Sequence, residues 1–344
     1  MWNAQGCGHR NFIRTTRQYI WDNSPDVVGF VEPWISGTAA DRIIAALQFL
    51  NSYRVEADSF SGGIWLCWYD HIRVDILYSH FQFVHCRVHC ITENTSSLVT
   101  FVYASPHSSK RKFLWSSLRQ LAPHISEPWA IIGDFNATLS SNERIGCVGS
   151  SKPDSDFLST LFDTGLHDLG YYGSHFTWYR VNCVVRLARC LCNSHWLEVF
   201  SDTLVHRLLR MKSDHRPLFV TLGHPLLRHR QKLFRYFASW SKHDEFSRLL
   251  RDNWDNSLSL ADNISNFSDV ATHWNRLVFG SISHRKKALM ARLRGVQRCL
   301  DRHRTSFLVR LEAKLQADLE QTLDQEEQLW KQKSRSDWIS FGDH

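Results

Sequence analysis

Strand-like runs recur through the front of this 344-residue chain and then stop near residue 222. Short β-branched or aromatic runs at 27–31, 63–68, 72–77, 81–91, 98–103, 129–133, 184–191 and 217–222 alternate with amphipathic stretches near 10–22, 40–50, 110–121 and 155–164. Short apolar or alternating runs suit strands, and apolar residues three and four apart suit helices, so residues 1–224 read as one α/β domain. The polar, turn-forming segment Thr92 to Ser97 joins two of the runs as a hairpin, which makes part of the sheet antiparallel.

Beyond His224 the strand signals vanish and long charged segments take over. Leu289, Leu293, Val296 and Leu300, then Phe307, Leu311, Leu315, Leu319 and Leu323, form a helical stripe. Its steps lengthen to fours, which predicts a helix packed on a neighbour rather than a regular coiled coil. Residues 225–344 therefore read as a helical tail without a sheet. The charge divides along the same line. The formal net charge is +7, of which residues 1–224 supply +1 and residues 225–344 supply +6. Within the tail, residues 276–314 carry eleven basic and two acidic side chains, and 315–344 carry three and seven. Such a basic block predicts salt-sensitive, sequence-independent binding of DNA, with RNA as the alternative partner, or else an ordinary charged helix face. His284-Arg285-Lys286-Lys287 is short for a nuclear signal and fits a solvated helix face.

No stretch reaches the roughly 18 apolar residues that span a bilayer, and the first residues lack the basic, apolar and small-residue regions of a signal peptide. The expectation is a soluble intracellular protein with no membrane partner, nuclear if it acts on chromosomal DNA. Nine scattered cysteines without paired short spacings predict free thiols. The group His85, Cys86, His89 and Cys90 lies in an alternating run, so the two residue types face opposite sides of a strand and converge poorly on one ion.

Two motifs carry chemistry. In Ile131-Ile132-Gly133-Asp134-Phe135-Asn136 an apolar strand ends at a glycine, followed by a carboxylate and a carboxamide that share one side if the chain stays extended. Together they suit orienting a water and holding a phosphoryl oxygen; an Asp turn capping a strand is the plainer alternative. Ser213-Asp214-His215-Arg216-Pro217 sets an imidazole beside a carboxylate and a hydroxyl. Histidine can stabilise or protonate a phosphorane-like centre near neutral pH, and the carboxylate can help hold a divalent metal.

The succession Trp2-Asn3, Glu32, Val102-Tyr103-Ala104-Ser105-Pro106, Gly133-Asp134-Phe135-Asn136, Phe176-Thr177-Trp178 and Ser213-Asp214-His215 resembles the endonuclease/exonuclease/phosphatase superfamily over residues 2–222. With Pro128-Trp129-Ala130 and Asp168-Leu169-Gly170 it looks most like the endonuclease of plant LINE-type (non-LTR) retrotransposons. Leu329-Trp330-Lys331 and Trp338-Ile339-Ser340-Phe341-Gly342-Asp343 resemble the segment that joins this endonuclease to a reverse transcriptase, which leads us to expect the front portion of a retroelement product. The resemblance implies a two-sheet, four-layer α/β sandwich, DNase I-like, and Mg2+-dependent DNA nicking, with Mn2+ as an alternative ion and no small-molecule cofactor. It assigns Glu32, Asn3 and Asp214 to the metal. Asp134 orients or deprotonates the attacking water, Asn136 and Tyr103 hold the scissile phosphate, and Asp214 and His215 complete the catalytic set. Thr177, Trp178 and Ser213 lie at the substrate; strand core is the plainer role for Trp178.

Two departures qualify that expectation. The superfamily's Arg-Leu-Asp motif, whose carboxylate orients the catalytic histidine, is here Arg186-Leu187-Ala188. Only Met1 precedes the Trp-Asn pair, so Trp2 and Asn3 are expected on a fraying end with weakened metal affinity. The competing readings are a noncatalytic nucleic-acid-binding relic, and another phosphoesterase of the superfamily such as an RNA deadenylase or a phosphoinositide phosphatase.

Restoring the carboxylate with Ala188→Asp should raise Mg2+-dependent plasmid nicking on the order of 10²- to 10⁴-fold, by analogy with triads that lose the same partner. Equal rates for the two proteins, both folded, would show that position 188 is not the defect.

Overall fold

The computed structural model describes residues 1–9, 11–57, 62–147, 152–180, 182–222, 244–255 and 257–341. They form two compact units, Met1–Leu226 with Asp301–Arg304, and Leu227–Leu300 with Thr305–His344.

The first unit opens with β1 (Trp2–Asn3), α1 (Phe12–Asn23), β2 (Val27–Val31), α2 (Gly37–Ala46), β3 (Asn51–Val55), β4 (Ile64–Trp68), β5 (Ile72–His80), β6 (Phe83–Cys90) and β7 (Thr95–Tyr103). It continues through α3 (Ser108–Leu121), β8 (Trp129–Asp134), β9 (Arg144–Ile145), α4 (Ser155–Thr164), β10 (His167–Asp168), β11 (Trp178–Arg180) and β12 (Cys183–Val185). β13 (Ala188–Cys192), α5 (Ser194–Val199), β14 (Leu204–Arg207) and β15 (Leu218–Thr221) complete it.

Two sheets dominate. A four-stranded sheet runs β1-β2-β4-β3 and a six-stranded sheet runs β10-β13-β8-β7-β6-β5, with β7 and β8 parallel. Their facing sides share one core: Val31, Ile64 and Leu66 from the first meet Val84, Cys86, Phe101, Ile132 and Cys190 from the second. Alternation sends the next residues outward. Leu98, Val102, Trp129 and Ile131 pack on Leu114, Trp115 and Leu118 of α3 and Phe157 of α4, while Trp2, Phe30, Trp65 and Cys67 pack on Phe12 of α1 and Ala40 and Ile44 of α2. The layers are thus helix, sheet, sheet, helix, the sandwich the motifs imply.

Local chemistry fixes the joints. Gly133 lies where β8 meets β7 so closely that a Cβ would sit 1.9 Å from the Val102 carbonyl oxygen, so only glycine permits the pairing that carries Asp134 to the strand end. Asp154 caps α4 by accepting from the Phe157 amide at 3.0 Å and pairs with Arg111 of α3 at 2.9 Å.

Several expectations need correction. Trp2 and Asn3 do not fray: β1 pairs with Phe30 and Val31 of β2, both side chains are buried, and Leu218 of β15 donates to the Met1 carbonyl at 2.8 Å. The run 184–191 is not one strand. It breaks at Arg186-Leu187, because β12 joins a small sheet β11-β12-β9 while β13 joins the large one. Cys147 and Cys183 are not free thiols but a disulfide, since the β9–β12 pairing brings their Cα atoms to 4.4 Å. His85 and Cys86 do face opposite ways: His85 meets Thr100 and Trp129, and Cys86 lies in the inter-sheet core.

In the second unit, α6 (Asp244–Asp252), α7 (Leu260–Arg302) and α8 (Ser306–Phe341) are helices, with no strand among its described residues. α7 and α8 run antiparallel, with Lys286 paired to Glu326 and Gln297 to Glu312, each at 2.8 Å, and Leu289, Leu293, Leu300, Leu315, Leu319 and Leu323 are buried. Phe307, expected on the buried stripe, is 63% exposed in the first turn of α8. No helix among the described residues is long and apolar enough to cross a membrane. Residues 223–243, which include the expected boundary at 224/225, and Gly342 to His344 lie outside the described residues.

Burial and the nearby Arg87 push the His85 imidazole down to about 4. Its folded value is therefore depressed below the unfolded one, so between pH about 6.5 and about 4 the unfolded chain holds more protons and stability falls as pH falls. Urea unfolding at pH 7 and pH 5 should show this loss, at most about 2 kcal/mol, and His85→Gln should flatten it. An unchanged slope in the variant would contradict the assignment.

Candidate active site

Six segments deliver side chains to one end of the two sheets. β1 supplies Asn3, the end of β2 supplies Glu32, β7 supplies Tyr103, β8 supplies Asp134, the turn after β8 supplies Asn136, and the loop before β15 supplies Asp214 and His215. Asp134 is their hub. Its Oδ2 accepts from Asn3 Nδ2 at 3.0 Å and lies 3.3 Å from His215 Nδ1, while its Oδ1 accepts from the Asn136 amide at 3.1 Å. Asn136 Nδ2 donates to the Ala104 carbonyl at 2.8 Å, and Tyr103 donates its hydroxyl hydrogen to Glu32. On the other side of the imidazole, His215 Nε2 stands 3.6 Å from Asp214 Oδ1.

The backbone is strained where these groups emerge. Glu32 and Asn136 have φ of 53° and 47°, and Trp34 has 55°, in the left-handed region that non-glycine residues avoid. The Glu32 turn is held by amides of the segment after β1, with Gly6 donating to the Glu32 carbonyl and Cys7 to that of Pro33, each at 2.8 Å. Strain of this kind persists only where surrounding contacts over-determine it.

Three carboxylates share a partly buried space. Burial raises the Glu32 carboxyl above its ordinary value, as do the charges of Asp134 and Asp214, while the Tyr103 hydrogen bond and His215 oppose the shift. Burial and the Glu32 charge also raise the Tyr103 phenol. Such a cluster gains from a cation. No ready cage of three or more His, Cys, Asp or Glu side chains exists among the described residues. The donor set nonetheless fits a hard ion: Asp214 Oδ1 is buried without a hydrogen-bond partner, Glu32 is destabilised by its carboxylate neighbours, and Mg2+ takes only one or two carboxylates besides water and phosphate oxygens.

The expected substrate residues occupy different positions. Thr177 is fully buried, and its Oγ1 accepts from the amides of Leu187 and Ala188 at 2.8 and 2.9 Å. Ser213 is buried too; it donates to the Asn3 carbonyl at 2.8 Å and accepts from the His215 amide at 3.0 Å. Both hydroxyls thus clamp backbone, and this geometry gives neither a free face toward a substrate. Trp178 is half-buried, and its indole N–H donates to Asp214 Oδ2 at 2.8 Å, so it positions that carboxylate. Ala188 lies opposite Asp134 in the β13–β8 register. His215 Nδ1, although near Asp134, has no hydrogen bond of acceptable geometry.

Motif reading did not single out the buried ion network beneath the site. Arg189 binds Glu143 at 2.9 Å and Asp168 at 3.2 Å, and Arg186 binds the same two carboxylates at 3.0 and 2.7 Å. The network fixes the crossing from β12 to β13 on which Ala188 sits. Its signal was the pair of arginines flanking Leu187-Ala188.

Thr177→Val keeps the shape and removes the acceptor of two buried amides, which should cost about 2–4 kcal/mol. Urea unfolding gives the loss, and amide exchange should quicken first at Leu187 and Ala188. Exchange that stays unchanged there would dismiss the clamp.

Residues 2–215 match the Endonuclease/Exonuclease/phosphatase family. No curated protein matches the chain. Among solved structures, the endonuclease domain of TRAS1, a telomere-specific non-LTR retrotransposon, is similar over 64% of this chain and 95% of its own, at 13% identity and a TM-score of 0.50. The AP endonuclease LMAP from Leishmania major is similar over 65% and 86%, at 15% identity and a TM-score of 0.50. At such identities the likeness is one of fold. The match over residues 2–215, with the sandwich that brings Asn3, Glu32, Asp134 and His215 to one end, makes the chain a member of the Endonuclease/Exonuclease/phosphatase family, whose nucleases and phosphatases hydrolyse phosphoesters and generally use divalent metals.

Proposed function

We propose that the chain is a LINE-type endonuclease that nicks DNA with Mg2+, held below full activity by Ala188. The observation that carries this reading is the hub at Asp134, within hydrogen-bond reach of Asn3 and Asn136 and 3.3 Å from His215. Glu32, Asn3 and Asp214 would hold the ion, which when bound offsets negative charge on the phosphate oxygens. Asp134 is fixed by two nitrogen donors and so presents an oriented carboxylate to an attacking water. His215 offers a donor to charge that builds during phosphodiester hydrolysis. The choice of DNA and of the LINE branch rests on the motif succession and on the tail segments 329–335 and 338–343. A carboxylate at position 188 would share a face with Asp134, and the unpaired Nδ1 of His215 is what its loss would leave behind. That same unpaired nitrogen favours the second reading, a binding protein descended from the nuclease.

Purified full-length chain should convert supercoiled plasmid to nicked circles slowly, with loss of activity on chelation and a fall on the order of at least 10²-fold in Asp134→Ala, as for removal of a catalytic group. Equal residual rates in wild type and Asp134→Ala would favour the binding reading. Faster hydrolysis of poly(A) or a phosphoinositide than of plasmid would overturn the assignment of substrate.

A further inference from the structure

The exposed side of α7 presents a charge imbalance that its partner helix leaves in place. From Arg285 to Leu300 the helix contains no acidic residue. Lys286 is tied to Glu326 of α8 at 2.8 Å, and Gln297 to Glu312 at 2.8 Å. Arg285, Lys287, Arg292, Arg294 and Arg298 are exposed and make no ion pair or hydrogen bond among the described residues. The described acidic residues of α8 therefore make no ion pair with them. Helical spacing sorts them into two rows flanking the buried seam of Leu289, Leu293 and Leu300: Arg285 and Arg292 seven apart on one flank, and Lys287, Arg294 and Arg298 in steps of seven and four on the other.

A second observation concerns the ridge between the rows. It carries Ala288, Ala291 and Gly295, and a Cβ built on Gly295 would meet nothing within 4 Å. A glycine inside a helix costs about 1 kcal/mol relative to alanine, and here no internal contact requires it. A bare helix surface between two cationic rows lets an extended polyanion approach the backbone closely.

We propose that this face of α7, from Arg285 to Arg298, is a docking surface for the phosphate backbone of duplex DNA. The face is about 20 Å long at 1.5 Å per residue, and a duplex presents one negative charge per roughly 1.7 Å, so each of the five cations can meet a phosphate. The choice of DNA as occupant rests on the proposed nicking activity. A second DNA contact on the same chain would raise the local concentration of substrate at the site.

The test uses the full chain carrying Asp134→Ala, without divalent metal, so that binding is read apart from cleavage. Fluorescence anisotropy with a mixed-sequence duplex is recorded from 50 to 200 mM salt for this protein and for the same protein with Arg292→Gln, Arg294→Gln and Arg298→Gln. Each lost phosphate contact removes about 0.9 from the slope of log K against log salt. The triple variant should therefore lose about 2–3 from the slope and at least about tenfold in affinity at the lowest salt, with unchanged helical circular dichroism. A control with Arg42→Gln, Lys110→Gln and Lys112→Gln, exposed basic residues of the first unit, should lose less than half as much. Equal losses in control and triple variant, or an unchanged slope in the triple variant, overturn the proposal. So does tighter binding of single-stranded RNA or of acidic lipid vesicles than of duplex. The proposed activity fails separately, if the unmodified chain does not nick plasmid while this salt-dependent binding persists.

Discussion

Everything at the site depends on how closely β8 approaches β7. The two strands are parallel neighbours in the middle of the six-stranded sheet, and at Gly133 they leave no room for even a methyl group beside the Val102 carbonyl. That contact fixes the height at which β8 ends, and so the point from which Asp134 projects. Tyr103 and Asp134 pair in register at the same edge, and Ala188 reaches it from the other side through β13. The carboxylate is thus buried in a rigid sheet, where its partners rather than solvent decide its orientation. Glu32, by contrast, leaves the small sheet through a left-handed turn and comes to the site only because amides of the segment after β1 hold that turn.

The burial of three carboxylates near one imidazole puts charge, rather than packing, in command of this region. Glu32 is disfavoured as an anion by burial and by Asp134 and Asp214, with Tyr103 giving partial relief. The ion network beneath works in the opposite sense: burial alone would raise Glu143, but Arg189 and Arg186 hold it below the ordinary carboxylate range. One layer is internally neutralised; the other holds its carboxylates against burial and mutual repulsion. That contrast separates residues that build the floor of the site from residues suited to chemistry.

The parts of the fold that were legible in the sequence are those with period and length. β2, β4, β6, β7 and β8 and the four helices α1 to α4 announce themselves through apolar spacing, and Asp134 and His215 through short motifs at strand ends. β1, β9 and β10 have two residues each, too few to show alternation, and β3 carries the polar sequence Asn-Ser-Tyr-Arg-Val. The backbone clamps of Thr177 and Ser213 were hidden for another reason. A hydroxyl next to a site reads as a substrate ligand, and only the fold reveals that its lone pairs face amides ten residues away or two residues on. The Cys147–Cys183 pairing was equally hidden, because sequence spacing does not fix which cysteines meet.

The clasp between the ends of the first unit governs when the candidate site can be assembled. Met1 meets Leu218, the Asn3 carbonyl takes the Ser213 hydroxyl, and the Trp2 indole reaches the His215 carbonyl at 3.4 Å. Contacts between residues more than two hundred positions apart are among the slowest to form, since the whole intervening loop must close first. A chain that has not yet closed this clasp holds Asp134 without the His215 imidazole beside it. Closure of the clasp is therefore the step that completes the site, and it depends on the last strand of the domain.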